Sequence, residues 1–217
     1  MCVLSVCPGL PYNGSIPNSG GVTKNQTIET ILTRHAIRRF QPKQIEEDVL
    51  EQILQAGLHA PSAGNNQRSR IVVCQDKEIN ETLGKLSRYM QFKDYAPDQI
   101  PEPVSAEQPS IRDDLTIMNG FYDAPTVLTI FALKMQYCHL DAGMLAENIM
   151  LAAHSLGVGA CFVGRTDEVF ATEYGQALIR KWGIEEDLIP VGNIALGYRE
   201  GPEPKAKSRK PGRIVRV

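Results

Sequence analysis

The 217-residue sequence lacks a long apolar run, an excess of one charge and any familiar metal-binding spacing. No hydrophobic stretch approaches the roughly 20 residues of a membrane helix, so no membrane span is predicted. The 23 basic and 25 acidic residues nearly cancel, which argues against a basic field for nucleic acid or a membrane surface. The four histidines lack ligand spacing with cysteines or carboxylates, so no metal site is predicted.

Cysteine is scarce and irregularly placed. Its five residues form no CxxC pair and no regular framework, which favours reduced thiols in a cytoplasmic protein. Cys74 and Cys161 lie in apolar runs and are expected to be small buried hydrophobic residues. The N-terminus lacks a basic start, so no secretory signal peptide is expected.

Several catalytic motifs are also missing. Neither HExxH nor GxSxG occurs, which argues against a zinc protease or a serine hydrolase. The glycine-rich stretch GVGACFVG, residues 157–164, follows a helical segment rather than a strand and has no GK[ST] ending. It therefore fits neither a Rossmann nor a P-loop nucleotide site.

What the sequence does contain is a series of helical and strand-like segments. Apolar residues at helical spacing predict helices from about residue 25, and over 46–59, 79–89, 141–155 and 167–182. β-Branched apolar runs predict strands at 70–75, 126–133, 160–163 and 189–198. The 141–155 helix is apolar nearly all round, which is typical of a core or a subunit interface, and Gly157 is expected to cap it.

Two segments lack periodicity. Residues 1–25 are rich in Pro, Gly, Ser and Asn, which predicts an N-terminal arm, with residues 26–217 forming a single domain. Residues 90–114 contain several prolines and predict a long excursion from the fold. The aromatic residues around it either stack on a ligand or cover the core; they are Tyr89, Phe92 and Tyr95.

Residues 60–74, APSAGNNQRSRIVVC, combine a helix stop with a polar loop and a strand. Pro61 disfavours helical geometry at Ala60, and the amides that follow can both donate and accept hydrogen bonds. The loop is either an ordinary turn or a set of amides that faces a ligand. The basic clusters, Arg34 with Arg38 and the group at 205–210, are either solvated surface or phosphate anchors.

Five segments, in order, resemble the nitroreductase-like FMN-dependent oxidoreductases. LTRHAIRRF, residues 32–40, resembles the family signature R-[RH]-S-x-[RK]-x-F, and APSAGNNQ, residues 60–67, resembles its PS-[SA]-x-N-x-QPW loop. The sequence also resembles three further family motifs. They correspond to YDAPTVLTIF at 122–131, to the segment 141–164, and to IALGY together with KSR at 207–209. The resemblance covers about residues 27–217.

This resemblance implies an α+β fold with a central, mostly antiparallel sheet flanked by helices. It also implies an intertwined homodimer with FMN sites at the subunit interface. Phosphate contacts would come from Arg34, Arg38, Lys207 and Arg209, with His35 against the cofactor. Contacts to the ribityl chain and ring would come from Ser62, Asn65 and Gln67 of the other subunit. The segment that passes the isoalloxazine would be Phe162, Val163 and Gly164, with an amide near Gly164 or Arg165 facing N5.

The implied activity is that of an FMN-dependent NAD(P)H oxidoreductase. NADH or NADPH would give hydride to flavin N5, and a nitroaromatic, quinone or similar conjugated acceptor would then receive it in a ping-pong cycle. The chemistry would lie on the flavin, with no catalytic side chain. The alternatives are a non-catalytic FMN-binding carrier or regulatory protein, a dehalogenating or flavin-degrading relative, and an α+β domain without a cofactor.

The sequence departs from the family pattern at three places. Ala36 replaces a usual serine, so one hydroxyl contact is expected to be lost. The tripeptide at 68–70, Arg-Ser-Arg, replaces Pro-Trp-x, so the packing under the loop is expected to differ. Gly164-Arg165 stands where other members have Glu-Gly or Gly-Gly, which leaves open which amide would face N5.

Overall fold

The computed structural model describes residues 25–95, 106–204 and 209–217. The predicted arm therefore lies almost wholly outside the described residues, as do part of the 90–114 excursion and Lys207. The described strands are β1 (Arg70–Cys74), β2 (Thr126–Leu133), β3 (Gly159–Val163) and β4 (Leu188–Gly197). They form one sheet in the order β1-β2-β4-β3, and every neighbouring pair is antiparallel.

The described part of the chain also forms six α-helices. They are α1 (Gln26–Thr33), α2 (Glu47–Leu58), α3 (Lys77–Phe92), α4 (Cys138–Ser155), α5 (Thr166–Phe170) and α6 (Glu173–Lys181). Several begin at a polar cap: the Asn25 side chain accepts the Ile28 N–H at 3.1 Å, and Asp76 accepts the N–H groups of two first-turn residues. Such caps satisfy amides that have no partner inside the helix.

The central position of β2 explains its continuous apolar sequence. Successive side chains of a strand point to opposite faces of the sheet. Leu128 and Ile130 therefore pack towards α2 and α4. Val127 and Phe131 pack on the other face, towards α3, α5 and α6. The helices α2 and α4 pack closely, because a Cβ at Gly57 of α2 would lie 2.5 Å from Ile149 Cγ1 of α4. The α+β fold, with helices on an antiparallel sheet, is thus confirmed.

The expectation of one helix over residues 167–182 is wrong. The chain forms α5 and α6 with a break at Ala171 and Thr172. Thr172 Oγ1 accepts the Gly175 N–H at 3.1 Å and starts the second helix as its cap. A Cβ at Gly175 would lie 2.4 Å from Phe170 Cα, so the two helices meet too closely to allow a larger residue there.

Gly157 ends α4 as expected. Its φ of 76° is left-handed, and the following Val158 N–H donates to the Ala153 carbonyl at 2.8 Å. This is the bond pattern of a glycine-terminated helix. Cys74 and Cys161 are buried free thiols, also as expected.

Two helices leave apolar side chains exposed. No residue of α1 is buried, and Ile28 and Ile31 are 48% and 45% exposed. His35 lies beyond the end of α1 and is therefore not part of the apolar face of that helix. On α4, Leu140 and Met144 are exposed opposite the buried face. No helix in the described part of the chain is long and apolar enough to cross a membrane.

Candidate functional site

A cleft of about 160 Å³ opens where β3 ends. Its wall brings Arg38 together with the distant segment Phe162, Val163 and Gly164. All four residues were predicted to contact one cofactor. Segment 110–112, from the end of the long excursion, forms another part of the wall. Three guanidinium groups line the cleft, those of Arg38, Arg112 and Arg165.

The position of Arg38 follows from the extended segment after α1. The Ile37 N–H donates to the Ala160 carbonyl at 3.0 Å, and Ala36 pairs with Ala160 as a parallel bridge. Residue 38 is therefore held beside the end of β3. The Arg38 guanidinium lies 5.9 Å from the centre of the Tyr122 ring, a distance at which a cation–π contact stabilises the pair.

Tyr122 lies in a strained turn against the cleft. Burial raises the pKa of Tyr122 to about 12, so its phenol is neutral at physiological pH. Tyr122 and Asp123 have φ values of 58° and 55°, a left-handed conformation that costs roughly 1 kcal/mol or more for each non-glycine residue. Asn119 holds the turn: its Nδ2 donates to Asp123 at 2.9 Å and its Oδ1 accepts the Phe121 N–H at 2.8 Å.

The Phe162 ring forms part of the cleft wall, with one side exposed and the other packed against β4. Phe162 is 44% exposed, and a Cβ at Gly192 would lie 2.4 Å from its ring, so the ring rests directly on the backbone of β4. A Cβ at Gly164 would meet nothing within 4 Å. On β4, opposite Val163, the buried Asn193 side chain accepts from Thr129 Oγ1 and donates to Thr166 Oγ1, both at 2.9 Å.

Arg34 and His35 lie towards the C-terminal half of α4. Arg34 Nε is 3.6 Å from Glu147 Oε1, and His35 lines a second cleft of about 140 Å³ with His154. Thr33 Oγ1 and His154 Nε2 are 2.9 Å apart, and burial lowers the pKa of His154.

Three nitrogens in this region are buried without a hydrogen-bond partner among the described residues: Arg34 Nε, His35 Nδ1 and Arg38 Nε. Most buried polar groups in folded proteins are paired, so three such atoms within five residues are unusual.

The polar loop lies at the other end of α4. The Ala63 N–H donates to both carboxylate oxygens of Asp141, at 3.0 and 3.2 Å, near the helix start. Asp141 and His154 are 13 residues apart, or ~20 Å along a helix. Within the described residues the loop forms no hydrogen bond or ion pair with Arg34, His35 or Arg38. One chain therefore does not unite the two groups of predicted cofactor contacts.

The loop itself is internally ordered. The Gln67 N–H donates to Ser62 Oγ at 3.1 Å, and Gln67 Nε2 donates to Asn65 Oδ1 at 3.0 Å. Asn65 and Gln67 have φ values of 52° and 50°, and both are exposed. The three predicted side chains thus lie in one hydrogen-bonded polar loop, in which Asn65 and Gln67 are exposed.

The departures at residues 68–70 have structural partners. Arg68 Nη2 lies 2.6 Å from Asp187 Oδ2, and Arg70 Nη2 lies 2.7 Å from Glu185 Oε1. Exposed ion pairs of this kind contribute little each, on the order of 0–1 kcal/mol. The pairs tie the outgoing end of the loop to the segment before β4. Both arginines were left out of the predicted site, and neither lines the clefts around Arg38 and His35.

The C-terminal candidates are less informative. Arg209 is exposed, and Lys207 lies outside the described residues. Three other residues, which motif matching missed, support the site: Gln108, Asp141 and Asn193. Their partners lie 64 to 78 positions away in the sequence, or 27 for Asn193 and Thr166, so no local pattern could have revealed them.

Comparison with known proteins agrees with this fold. The profile of the Nitroreductase family matches residues 31–198. The chain therefore belongs to the Nitroreductase family.

Individual relatives are more distant. A protein of Methanothermobacter thermautotrophicus that carries the provisional name NADH dehydrogenase/NAD(P)H nitroreductase is 29% identical over 180 residues, 82% of this chain and 80% of that protein. The NADPH-flavin oxidoreductase of Vibrio harveyi is 26% identical over 196 residues, 88% of this chain and 72% of that protein. The crystal structure of a nitroreductase with bound FMN from Bacteroides fragilis superposes with a TM-score of 0.73 at 26% identity, covering 89% of this chain and 100% of that one.

Proposed function

We propose that the protein is an FMN-dependent NAD(P)H oxidoreductase that reduces a nitroaromatic, quinone or similar conjugated acceptor in a ping-pong cycle. The observation that carries this proposal is the set of buried nitrogens without a hydrogen bond on Arg34, His35 and Arg38, of which, within the described residues, only Arg34 Nε has an ion-pair contact, with Glu147 at 3.6 Å. The names of the relatives support it, since they include an NADPH-flavin oxidoreductase and a nitroreductase with bound FMN.

The residues present fit the chemistry of FMN. A buried donor that lacks an acceptor costs roughly 1–3 kcal/mol, so the arginine nitrogens, above all Arg38 Nε, favour a ligand that is rich in acceptors. FMN carries a phosphate, a polyhydroxylated chain and a ring edge with carbonyl oxygens. Guanidinium groups match the phosphate, and the exposed amides of Asn65 and Gln67 match the chain and the ring.

The proposed cofactor contacts are divided by role. Phosphate is bound by Arg34, Arg38, Lys207 and Arg209, and His35 lies against the cofactor. The ring passes Phe162, Val163 and Gly164. The partner subunit provides Ser62, Asn65 and Gln67. When bound, FMN supplies reversible hydride chemistry at N5, while the protein provides binding, orientation and positive charge.

A homodimer accounts for the features that one chain leaves incomplete. The Ser62–Gln67 loop contacts the start of α4, whereas Arg34 contacts its C-terminal half, so the loop suits a site on a second copy. The exposed apolar residues of α1 and α4, among them Ile31 and Met144, provide an apolar surface for such a contact. Apolar surface of this kind is typical of an interaction face.

The proposal is tested first by the visible spectrum of the purified protein, which should show bound oxidised flavin. Anaerobic mixing with NADH and with NADPH should then bleach the flavin absorbance with at least one donor. Reoxidation by added nitrobenzene derivatives or quinones should restore it. Bound flavin that neither donor bleaches would reject the oxidoreductase and favour the FMN carrier.

A further inference from the structure

Gln108 is a buried polar side chain that holds the Arg38 segment next to the cleft. It is 1% exposed, although it lies within the excursion that the sequence predicts to leave the fold. Its Oε1 accepts the backbone N–H groups of Arg38 at 2.7 Å and Arg39 at 2.9 Å. Its own carbonyl oxygen accepts from Arg38 Nη1 at 3.1 Å, and its Nε2 reaches the Glu200 carbonyl at 3.5 Å.

These bonds replace the sheet contacts that the segment lacks at this point. The neighbouring amides of Ile37 and Gln41 donate to Ala160 and Tyr198, at 3.0 and 2.8 Å. The two amides between them that meet at Gln108, those of Arg38 and Arg39, accordingly find their acceptor in its side chain. Successive N–H groups of a regular strand point in opposite directions, so their convergence on one oxygen requires a local bend.

The bonds also act on the Arg38 side chain. One guanidinium nitrogen is held by the Gln108 carbonyl, and the ring of Tyr122 lies 5.9 Å from the guanidinium carbon. The Nε of Arg38 is buried and has no hydrogen-bond partner among the described residues. Gln108 and Tyr122 therefore fix the orientation of the guanidinium and leave a donor for a ligand.

We propose that Gln108 is a positioning residue: it orients Arg38 for FMN binding and so makes cofactor affinity depend on the C-terminal part of the excursion. This inference rests on the proposed function, because it requires Arg38 to contact FMN. It differs from a purely structural role, since two of the four bonds are made to Arg38 itself.

The test compares three Gln108 variants by the dissociation constant of FMN for the apoprotein, measured by quenching of flavin fluorescence. Gln108→Met keeps the length of the side chain and removes its hydrogen bonds, so the dissociation constant should rise about tenfold or more. Gln108→Glu keeps an acceptor for both amides and should stay within about threefold of wild type. If the methionine variant fails to fold, Gln108→Asn, whose shorter amide withdraws the acceptor, is judged by the same criterion.

A matched control removes a similar bridge elsewhere. The Gln44 amide donates to the Pro125 carbonyl and accepts from Thr126 Oγ1, both at 2.9 Å, away from the cleft around Arg38. Gln44→Met should lower the Tm of the apoprotein but leave the FMN dissociation constant unchanged. In an Arg38→Ala background, replacement of Gln108 should weaken FMN binding much less than in wild type, because coupled residues are not additive.

The possible failures are distinguishable. Full FMN affinity in Gln108→Met or Gln108→Asn, together with strong loss in Arg38→Ala, would overturn this inference alone. An equal effect of Gln108 replacement with and without Arg38 would also overturn it. A wild-type apoprotein that does not bind FMN would overturn both the inference and the proposed function.

Discussion

The carboxylate of Asp141 accepts the Ala63 N–H with both oxygens, at 3.0 and 3.2 Å, and thereby joins the polar loop to the first turn of α4. Asp141 is buried, so the bond is shielded from water. The negative charge also lies at the favourable end of the helix dipole. This contact holds Ser62, Asn65 and Gln67 at a defined place on the surface.

Replacing Asp141 should therefore affect stability and FMN binding together. Asp141→Ala leaves the Ala63 N–H without its acceptor, which should lower the free energy of unfolding by roughly 1–3 kcal/mol. The proposed loop contacts with the partner's FMN should weaken as well. Asp141→Asn retains one acceptor oxygen and should lose less of both. Urea unfolding and FMN titration measure the two effects; unchanged FMN affinity in the alanine variant would contradict the role of the loop.

Arg38 should be required for FMN retention, whereas its neighbour should not. Arg38→Ala removes a guanidinium that lines the cleft and has a free buried donor. The purified variant should contain little flavin, as measured by absorbance after denaturation. Arg39 is exposed and does not line the cleft of about 160 Å³, so Arg39→Ala provides a control of equal charge change. Full flavin content in Arg38→Ala would show that the phosphate assignment is wrong.

The exposed face of α4 should control assembly. Met144 is 38% exposed opposite the buried face of the helix, and a charge there would be costly to bury in a dimer. Met144→Glu should shift the sedimentation coefficient towards that of a monomer and reduce bound FMN, because the partner's loop would be lost. Tyr174→Glu adds the same charge at an exposed apolar position of α6 and should remain dimeric with FMN bound. A monomeric wild-type protein that binds FMN would contradict this arrangement.

Features of the fold that depend on neighbouring residues could be predicted from the sequence, whereas features that depend on long-range contacts could not. The apolar run of β2 and the cap at Gly157 depend on neighbouring residues, and both were predictable. The break between α5 and α6 was missed because a single threonine cap and the close approach of Gly175 to Phe170 outweigh continuous helical spacing.

The same difference between local sequence patterns and long-range contacts is larger in the candidate site. Family motifs pointed to Arg38 and Phe162, and the fold places both on one cleft. Motifs gave no partner for Arg68 and Arg70, because Asp187 and Glu185 lie 119 and 115 residues further along the chain. The proposed role of the 62–67 loop requires contacts with a second copy, and no pattern within one sequence specifies such contacts.

The acid sensitivity of the fold should depend on Glu46. Lys43 Nζ lies 2.5 Å from Glu46 Oε1, and the Tyr198 hydroxyl donates to the other oxygen. These hydrogen bonds, that from Lys43 foremost, lower the pKa of Glu46 from 4.5 to about 2. A carboxylate whose pKa is lower in the folded state stabilises that state above the unfolded pKa, and the contribution disappears as pH falls towards the folded pKa.

Wild type should therefore lose Tm between pH 5 and about pH 2 more steeply than Glu46→Gln, which cannot titrate at this position. At neutral pH the variant should be the less stable protein, and the difference should vanish near pH 2. The effect should be modest because the group is exposed, and high salt should reduce it further. Glu51→Gln, on the exposed side of α2, should retain the acid sensitivity of wild type. If Glu46→Gln and wild type show parallel Tm curves over this range, the ion pair does not stabilise the fold in solution.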